Sequence, residues 1–105
     1  MQFLLMIGGD PSSATAWVAE MRRRGLYRGG ALLRPSSDAT TIRVRGDEVL
    51  LTDGPYAETK EQVGGVCLLE CASLEEAVSA AASHPVARLG MVEVRPMIDE
   101  PRGSL

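Results

Sequence analysis

Five chemically versatile side chains fall within nine positions of one segment: Asp53, Tyr56, Glu58, Lys60 and Glu61. A carboxylate can carry a proton, and a lysine or a phenol can hold an anion or a carbonyl oxygen. Such groups act well when the backbone aims them. Asp53-Gly54-Pro55 supplies a rigid turn: the aspartate bonds its own backbone, the glycine permits positive φ, and the proline locks φ. The turn presents Asp53 at the end of a strand as a candidate general acid or base. A free aspartate titrates at about 3.9, so proton transfer near neutral pH requires desolvation. The plainer alternative is an Asx-turn aspartate that caps its own loop. Tyr56 is a candidate ligand contact or a packing ring. Glu58, Lys60 and Glu61 form either an ion-paired pocket edge or a solvated helical turn, since exposed pairs are worth little. Lys60 is the only lysine among eleven basic residues, which sets it apart without assigning it a role.

A second candidate pair is Glu93 and Arg95, two apart on a predicted last strand and therefore on one face, opposite Val92 and Val94. If that face is covered, the arginine needs a carboxylate, either from the protein or from a ligand. The cysteines offer less. Cys67 and Cys71 are four apart on a predicted strand, roughly 13 Å at about 3.3 Å per residue. A disulfide needs Cα atoms within about 7 Å, so the expectation is two free, buried thiols. His84 precedes Pro85 at a helix end and reads as a polar terminator rather than a catalyst. No metal site is expected, because the ligand spacing is missing. No cofactor is expected either: Gly8-Gly9, Gly29-Gly30 and Gly64-Gly65 lack phosphate-loop spacing and read as strand ends and close backbone approach.

The elements that must position these groups alternate clearly. Gln2–Ile7 is a predicted strand, and Asp10-Pro11 reads as an N-cap with proline at the first helical position. Ala14, Trp17, Val18 and Met21 then fall on one helical face. Arg22, Arg23 and Arg24 complement the helix C-terminus, as a solvated end rather than an anion site, and Gly25 stands at C′. Leu26–Leu33 is a second strand, and Thr40–Arg45 with Val49–Leu51 a hairpin turned at Gly46-Asp47. Gly65–Cys71 follows as a strand. Ser73 and Glu76 make a capping box for a helix whose apolar face is Leu74, Ala77, Val78 and Ala81, and Met91–Met97 ends the series. The order predicts an α+β, ferredoxin-like sandwich over residues 1–98, with 99–105 a loose tail. In the first strand both faces are apolar, Phe3, Leu5 and Ile7 against Leu4 and Met6. Two short helices cover one face of a sheet, so the other is expected to meet a second copy in a homodimer.

Composition bounds the rest. A chain of 105 residues has room for one core, and 45% apolar with 24% charged residues is ordinary for a globular domain. Fourteen acidic against eleven basic residues give a net charge of −3, which disfavours nucleic-acid binding. The longest apolar run, Phe3–Ile7, is far short of the roughly 20 residues of a membrane span and lacks the features of a signal peptide. A cytoplasmic protein with no membrane partner is expected.

Asp53-Gly54-Pro55-Tyr56-Ala57-Glu58-Thr59-Lys60-Glu61, continuing to Gly65, resembles the signature of the DGPF-motif branch of the YCII-related proteins, with Tyr56 where that branch usually carries phenylalanine. Ala39–Arg43, Ser73–Ala77 and Val92–Pro96 also match, so the resemblance spans about residues 2 to 98. It implies a ferredoxin-like fold paired into a dimeric α+β barrel, with a pocket between sheet and loops and no settled reaction. It also implies a genomic setting beside extracytoplasmic-function sigma factors. The histidine–aspartate pair proposed for the wider group has no counterpart, since no histidine precedes His84.

Three functions fit these observations. The first is a cofactor-free acid–base enzyme acting on a small organic molecule, with Asp53 moving the proton and Tyr56 and Arg95 orienting the substrate. The second is a small-molecule-binding or sensing module using the same pocket. The third is a partner-docking protein acting through the signature loop. In each case the ligand stays unidentified at this stage.

Overall fold

The computed structural model describes residues 1–54 and 62–98. Strand β1 (Gln2–Gly8) leads into helix α1 (Thr15–Arg23), then β2 (Tyr27–Leu32), β3 (Thr40–Arg45), β4 (Glu48–Asp53), β5 (Val63–Glu70), helix α2 (Leu74–Ala82) and β6 (Met91–Pro96). Strands β2, β5, β1 and β6 form one antiparallel sheet in that spatial order, and β3 pairs with β4 separately. With the hairpin set aside, the order is that of a ferredoxin-like α+β domain: each βαβ half places one strand of the other between its own two. Among the described residues no helix is long and apolar enough to cross a membrane.

The alternation of β1 separates the two faces of the sheet. Phe3, Leu5 and Ile7 are buried under the helices with Cys67 and Leu69 of β5, Trp17 and Met21 of α1, and Ala77, Ala80 and Ala81 of α2. Val92 and Val94 complete this core from β6. Leu4, Met6, Val66 and Leu68 point the other way and are only partly buried. The two helices cover one face alone, which leaves the apolar Leu4 and Met6 of β1 on the other.

Local chemistry places the helix ends with small departures from expectation. Asp10 does act as a cap, but for a 3₁₀ turn at Pro11–Ser13, where its side chain accepts from the Ser12 N–H at 2.9 Å. Helix α1 begins only after that turn. Gly25 takes the expected positive φ of 74° behind it. At α2, Ser73 Oγ accepts from the Glu76 N–H at 3.1 Å, while Glu76 Oε1 reaches Ala72 N rather than the cap's own amide. The box is therefore offset by one residue.

The β3–β4 hairpin stands away from this body. Ile42 pairs with Leu51 and Val44 with Val49 on one face, yet Ile42 is 63% and Leu51 67% exposed. The radius of gyration, 15.5 Å, exceeds the roughly 13 Å of a compact 100-residue chain. Its base is fixed by the Gly54 N–H donating to Ala39 O at 2.7 Å and by Thr41 Oγ1 donating to Gly54 O at 2.8 Å.

Gly30, Gly64 and Gly65 mark close approaches, whereas nothing lies within 4 Å of a Cβ on Gly29. A Cβ on Gly64 would run into the carbonyl oxygen of Gly9, and one on Gly30 would lie 2.7 Å from the Val66 carbonyl oxygen. Gly25 differs, since nothing lies within 4 Å of its Cβ position and only the positive φ resists substitution. Urea unfolding should therefore separate the two cases. Gly64→Ala is expected to lose about 3 kcal/mol or more through backbone overlap, and Gly25→Ala about 1–2 kcal/mol through the left-handed backbone.

Candidate functional site

Of the residues singled out in the sequence as site candidates, the structure describes Asp53, Glu93 and Arg95, and it sets Asp53 apart from the other two. Asp53 ends β4 and is exposed. Glu93 and Arg95 lie on β6, at the sheet edge opposite β2, and form an ion pair of 2.8 Å between Arg95 Nη2 and Glu93 Oε2. Tyr56, Glu58, Lys60 and Glu61 fall outside the described residues. Within one chain, then, Asp53 belongs to the two-stranded sheet and the Glu93–Arg95 pair to the far edge of the four-stranded one.

Register puts Glu93 and Arg95 on the uncovered face. Met6 pairs with both Val66 and Glu93, and Leu4 with both Leu68 and Arg95. Two rows thus cross the open face, apolar in the middle strands and charged at the β6 edge. The row of Leu68 ends at Gly29 on β2 and that of Val66 at Ala31.

A second concave region lies on the helical side, between α1 and the β2–β5 part of the sheet. Its origin is the anchoring of Trp17. The indole N–H donates to Ala80 O at 2.9 Å and to Ser83 Oγ at 3.1 Å, tying α1 to α2. Trp17 also meets the His84 ring edge-on, with centroids 4.7 Å apart. Helix α1 is thereby fixed toward α2, and the floor beneath its other side holds Gly30 and Gly65. Ala14, Val18 and Ala19 form a low roof. Small groups above and below leave a groove of about 430 Å³, within the usual range for small-molecule sites.

The polar side chains lining this groove are Ser12, Thr15, Arg22, Tyr27 and His84, with the Cys67 thiol. His84 is 2% exposed, and its Nδ1 accepts from the Val86 N–H at 3.0 Å, capping the 3₁₀ turn Pro85–Arg88. That bond puts the proton of the neutral ring on Nε2, which has no partner among the described residues. Burial lowers the His84 pKa, so the neutral form is favoured. Tyr27 faces the same space; its hydroxyl lies 2.6 Å from the position of a Cβ on Gly30. The Arg22 guanidinium sits 5.0 Å from the Tyr27 ring centroid and is the only charged side chain lining the groove among the described residues. Cys67 closes part of the floor, and burial pushes its thiol up to about 11. It is therefore a packed thiol rather than a nucleophile, and both cysteines are free and buried as expected. Among the described residues no three His, Cys, Asp or Glu side chains converge in a way that could hold a metal ion.

The sequence reading did not find this groove. Its usable signals were the glycine pairs on two strands that turn out to be neighbours, and a lone tryptophan whose N–H needed a buried acceptor. Arg22 was hidden in the arginine triplet, of which Arg23 alone pairs with Glu20, at 2.6 Å.

The order of elements and the antiparallel sheet define a ferredoxin-like α+β protein, with an open groove of about 430 Å³ on its helical side. Residues 1–101 match the family model of the YCII-related domain, and the chain belongs to that family. It is similar to an uncharacterised protein of Rhizobium meliloti (strain 1021), 33% identical over an alignment of 114 positions that covers 92% of each chain.

The buried neutral histidine sets a pH dependence. Its folded pKa lies below the ordinary 6.5, so the unfolded chain takes up the proton first as pH falls. Stability contributed by neutral His84 is present above about pH 6.5 and is lost progressively below it, until the lowered folded value is reached. Urea unfolding between pH 7.5 and pH 5 is expected to show this fall. His84→Asn keeps a side-chain acceptor for the Val86 amide and should flatten the slope in that window. An unchanged slope would mean that other groups set it.

Proposed function

We propose that this protein binds a small organic molecule, without a cofactor, in the groove beneath α1, and that it works as a homodimer. The observation that carries the binding reading is the combination of an apolar groove with unused donors. His84 Nε2–H is held neutral and partnerless in a 98%-buried side chain (2% exposed). His84 Nε2 is not among the fully buried unpartnered side-chain atoms, so a ligand acceptor can reach its N–H from the groove.

The homodimer reading rests on two uncovered apolar surfaces. The open sheet face offers Leu4, Met6, Val66 and Leu68, and the hairpin offers Ile42, Val44, Val49 and Leu51. A two-stranded hairpin is marginal by itself, so a covering partner would stabilise it. Face-to-face packing of two sheets gives the dimeric α+β barrel, with Glu93 and Arg95 at its rim. The run Asp53-Gly54-Pro55-Tyr56 supports reading the chain as one of the DGPF branch of the family, and free buried thiols suit a reducing cytoplasm.

An acid–base enzyme is the second reading, favoured by one observation. The turn that carries Asp53 is pinned by the two hydrogen bonds at Gly54, so its carboxylate has a fixed exit from β4. Catalysis then needs the desolvation that a second copy would supply, with Tyr56, Glu58 and Lys60 on the same connection.

Two measurements test the proposal. Native mass spectrometry should give a dimer for the wild type and a folded monomer for Leu68→Asp; a wild-type monomer contradicts the pairing. The neutral dye N-phenylnaphthylamine should shift Trp17 emission saturably, and Val18→Phe, which fills the groove, should weaken this at least roughly tenfold. Binding unchanged by Val18→Phe would place the ligand elsewhere.

A further inference from the structure

We infer that the groove beneath α1 selects an elongated apolar monocarboxylate, its carboxylate held by Arg22 and an oxygen at its far end accepting from His84. The inference rests on the binding reading above and deepens it by naming the ligand class.

Charge comes first. A groove in a chain of net charge −3 would be expected to carry acidic groups at its edge, but among the described residues the single charged side chain lining it is Arg22. Arg22 forms no ion pair among the described residues; of the neighbouring carboxylates, Glu20 is engaged by Arg23 through two hydrogen bonds of 2.6 and 2.8 Å. The guanidinium instead lies over the Tyr27 ring. That stacking orients its fork while leaving the N–H edge available, the arrangement in which arginine binds a planar carboxylate in bidentate fashion. The Tyr27 hydroxyl also lacks a protein partner among the described residues.

Distance and polarity set the remainder of the molecule. Trp17, which carries His84 against its ring, and Arg22 are five residues apart on α1, or roughly 8 Å of helix rise. Between these ends the walls are Ile7, Val18, Leu32 and the bare backbone of Gly30 and Gly65, which favours methylene or aryl groups over hydroxylated ones. His84 presents an N–H because its Nδ1 is committed to Val86. That donor serves any oxygen acceptor, but the neutral ring and its apolar surroundings offer a second carboxylate no counter-charge, which favours an ester or ketone oxygen at this end.

Monomethyl suberate meets these requirements, with a carboxylate at one end and an ester oxygen at the other. Dimethyl suberate removes the charge and octanoate removes the far acceptor. Each is titrated against the emission of Trp17, the only tryptophan in the chain, in wild type and in Arg22→Gln. Monomethyl suberate is expected to saturate, with the diester weaker by roughly tenfold or more and octanoate weaker by a smaller factor. Arg22→Gln should erase the gap between monoester and diester, and N-phenylnaphthylamine titrated against the wild type reports on the groove itself. Equal binding of monoester and diester, or no effect of Arg22→Gln, overturns the ligand class while the neutral dye shows the groove itself intact. Octanoate binding as tightly as the monoester overturns the His84 contact. If the dye also fails to bind, the groove reading falls and takes the class with it.

Discussion

The indole N–H of Trp17 is the contact on which the rest of the helical side depends. An aromatic ring of this size brings roughly 150–250 Å² of surface into the core, but its N–H must find an acceptor there. The acceptors are Ala80 O and Ser83 Oγ, both at the end of α2. Helix α1 is therefore pulled toward α2 and not down onto β2. Settling flush on the sheet would bury Val18 more fully, at the expense of a buried donor with no partner, a loss of about 1–3 kcal/mol. The hydrogen bonds outweigh the extra contact, and the groove is the space that remains.

That space is kept by residues that are small for separate reasons. Gly65 must clear the ring of Pro11, and Gly30 must clear Tyr27 and the Val66 carbonyl. The same crowding that excludes a Cβ at these positions leaves the groove floor bare beside them. His84 joins the two functions of the region. Its Nδ1 caps the turn that ends α2's connection to β6, and its ring braces Trp17. The structural bonds thus determine which nitrogen is left to face a ligand.

Much of the fold was legible in the sequence because it rests on local rules. The two-sided apolar pattern of β1, the glycine after α1 and the Ser73 cap each identify an element from its own residues, and the strand–helix order then dictates the antiparallel sheet. The hairpin was equally plain from the alternation of Ile42 and Val44. The site was not legible in the same way. Spacing put Glu93 and Arg95 on one face, and they do pair, but Asp53 lies in the other sheet. The groove depends on which strands become neighbours and on which way one helix leans. Gly30 and Gly65 are 35 positions apart in the numbering yet end on adjoining strands, and no periodicity announces that. Similarly, Arg22 differs from Arg23 and Arg24 only in what lies beneath it.

A single spectroscopic signal reports on this arrangement, because Trp17 is the only tryptophan. Its indole ¹H–¹⁵N resonance, followed by hydrogen exchange in heavy water, reads the anchoring contact directly. The account predicts an indole proton that exchanges only as slowly as the most protected core amides, with nuclear Overhauser contacts to the His84 ring. An indole proton exchanging as fast as those of exposed side chains would contradict it: α1 would not be tied to α2, and the groove would have no fixed form.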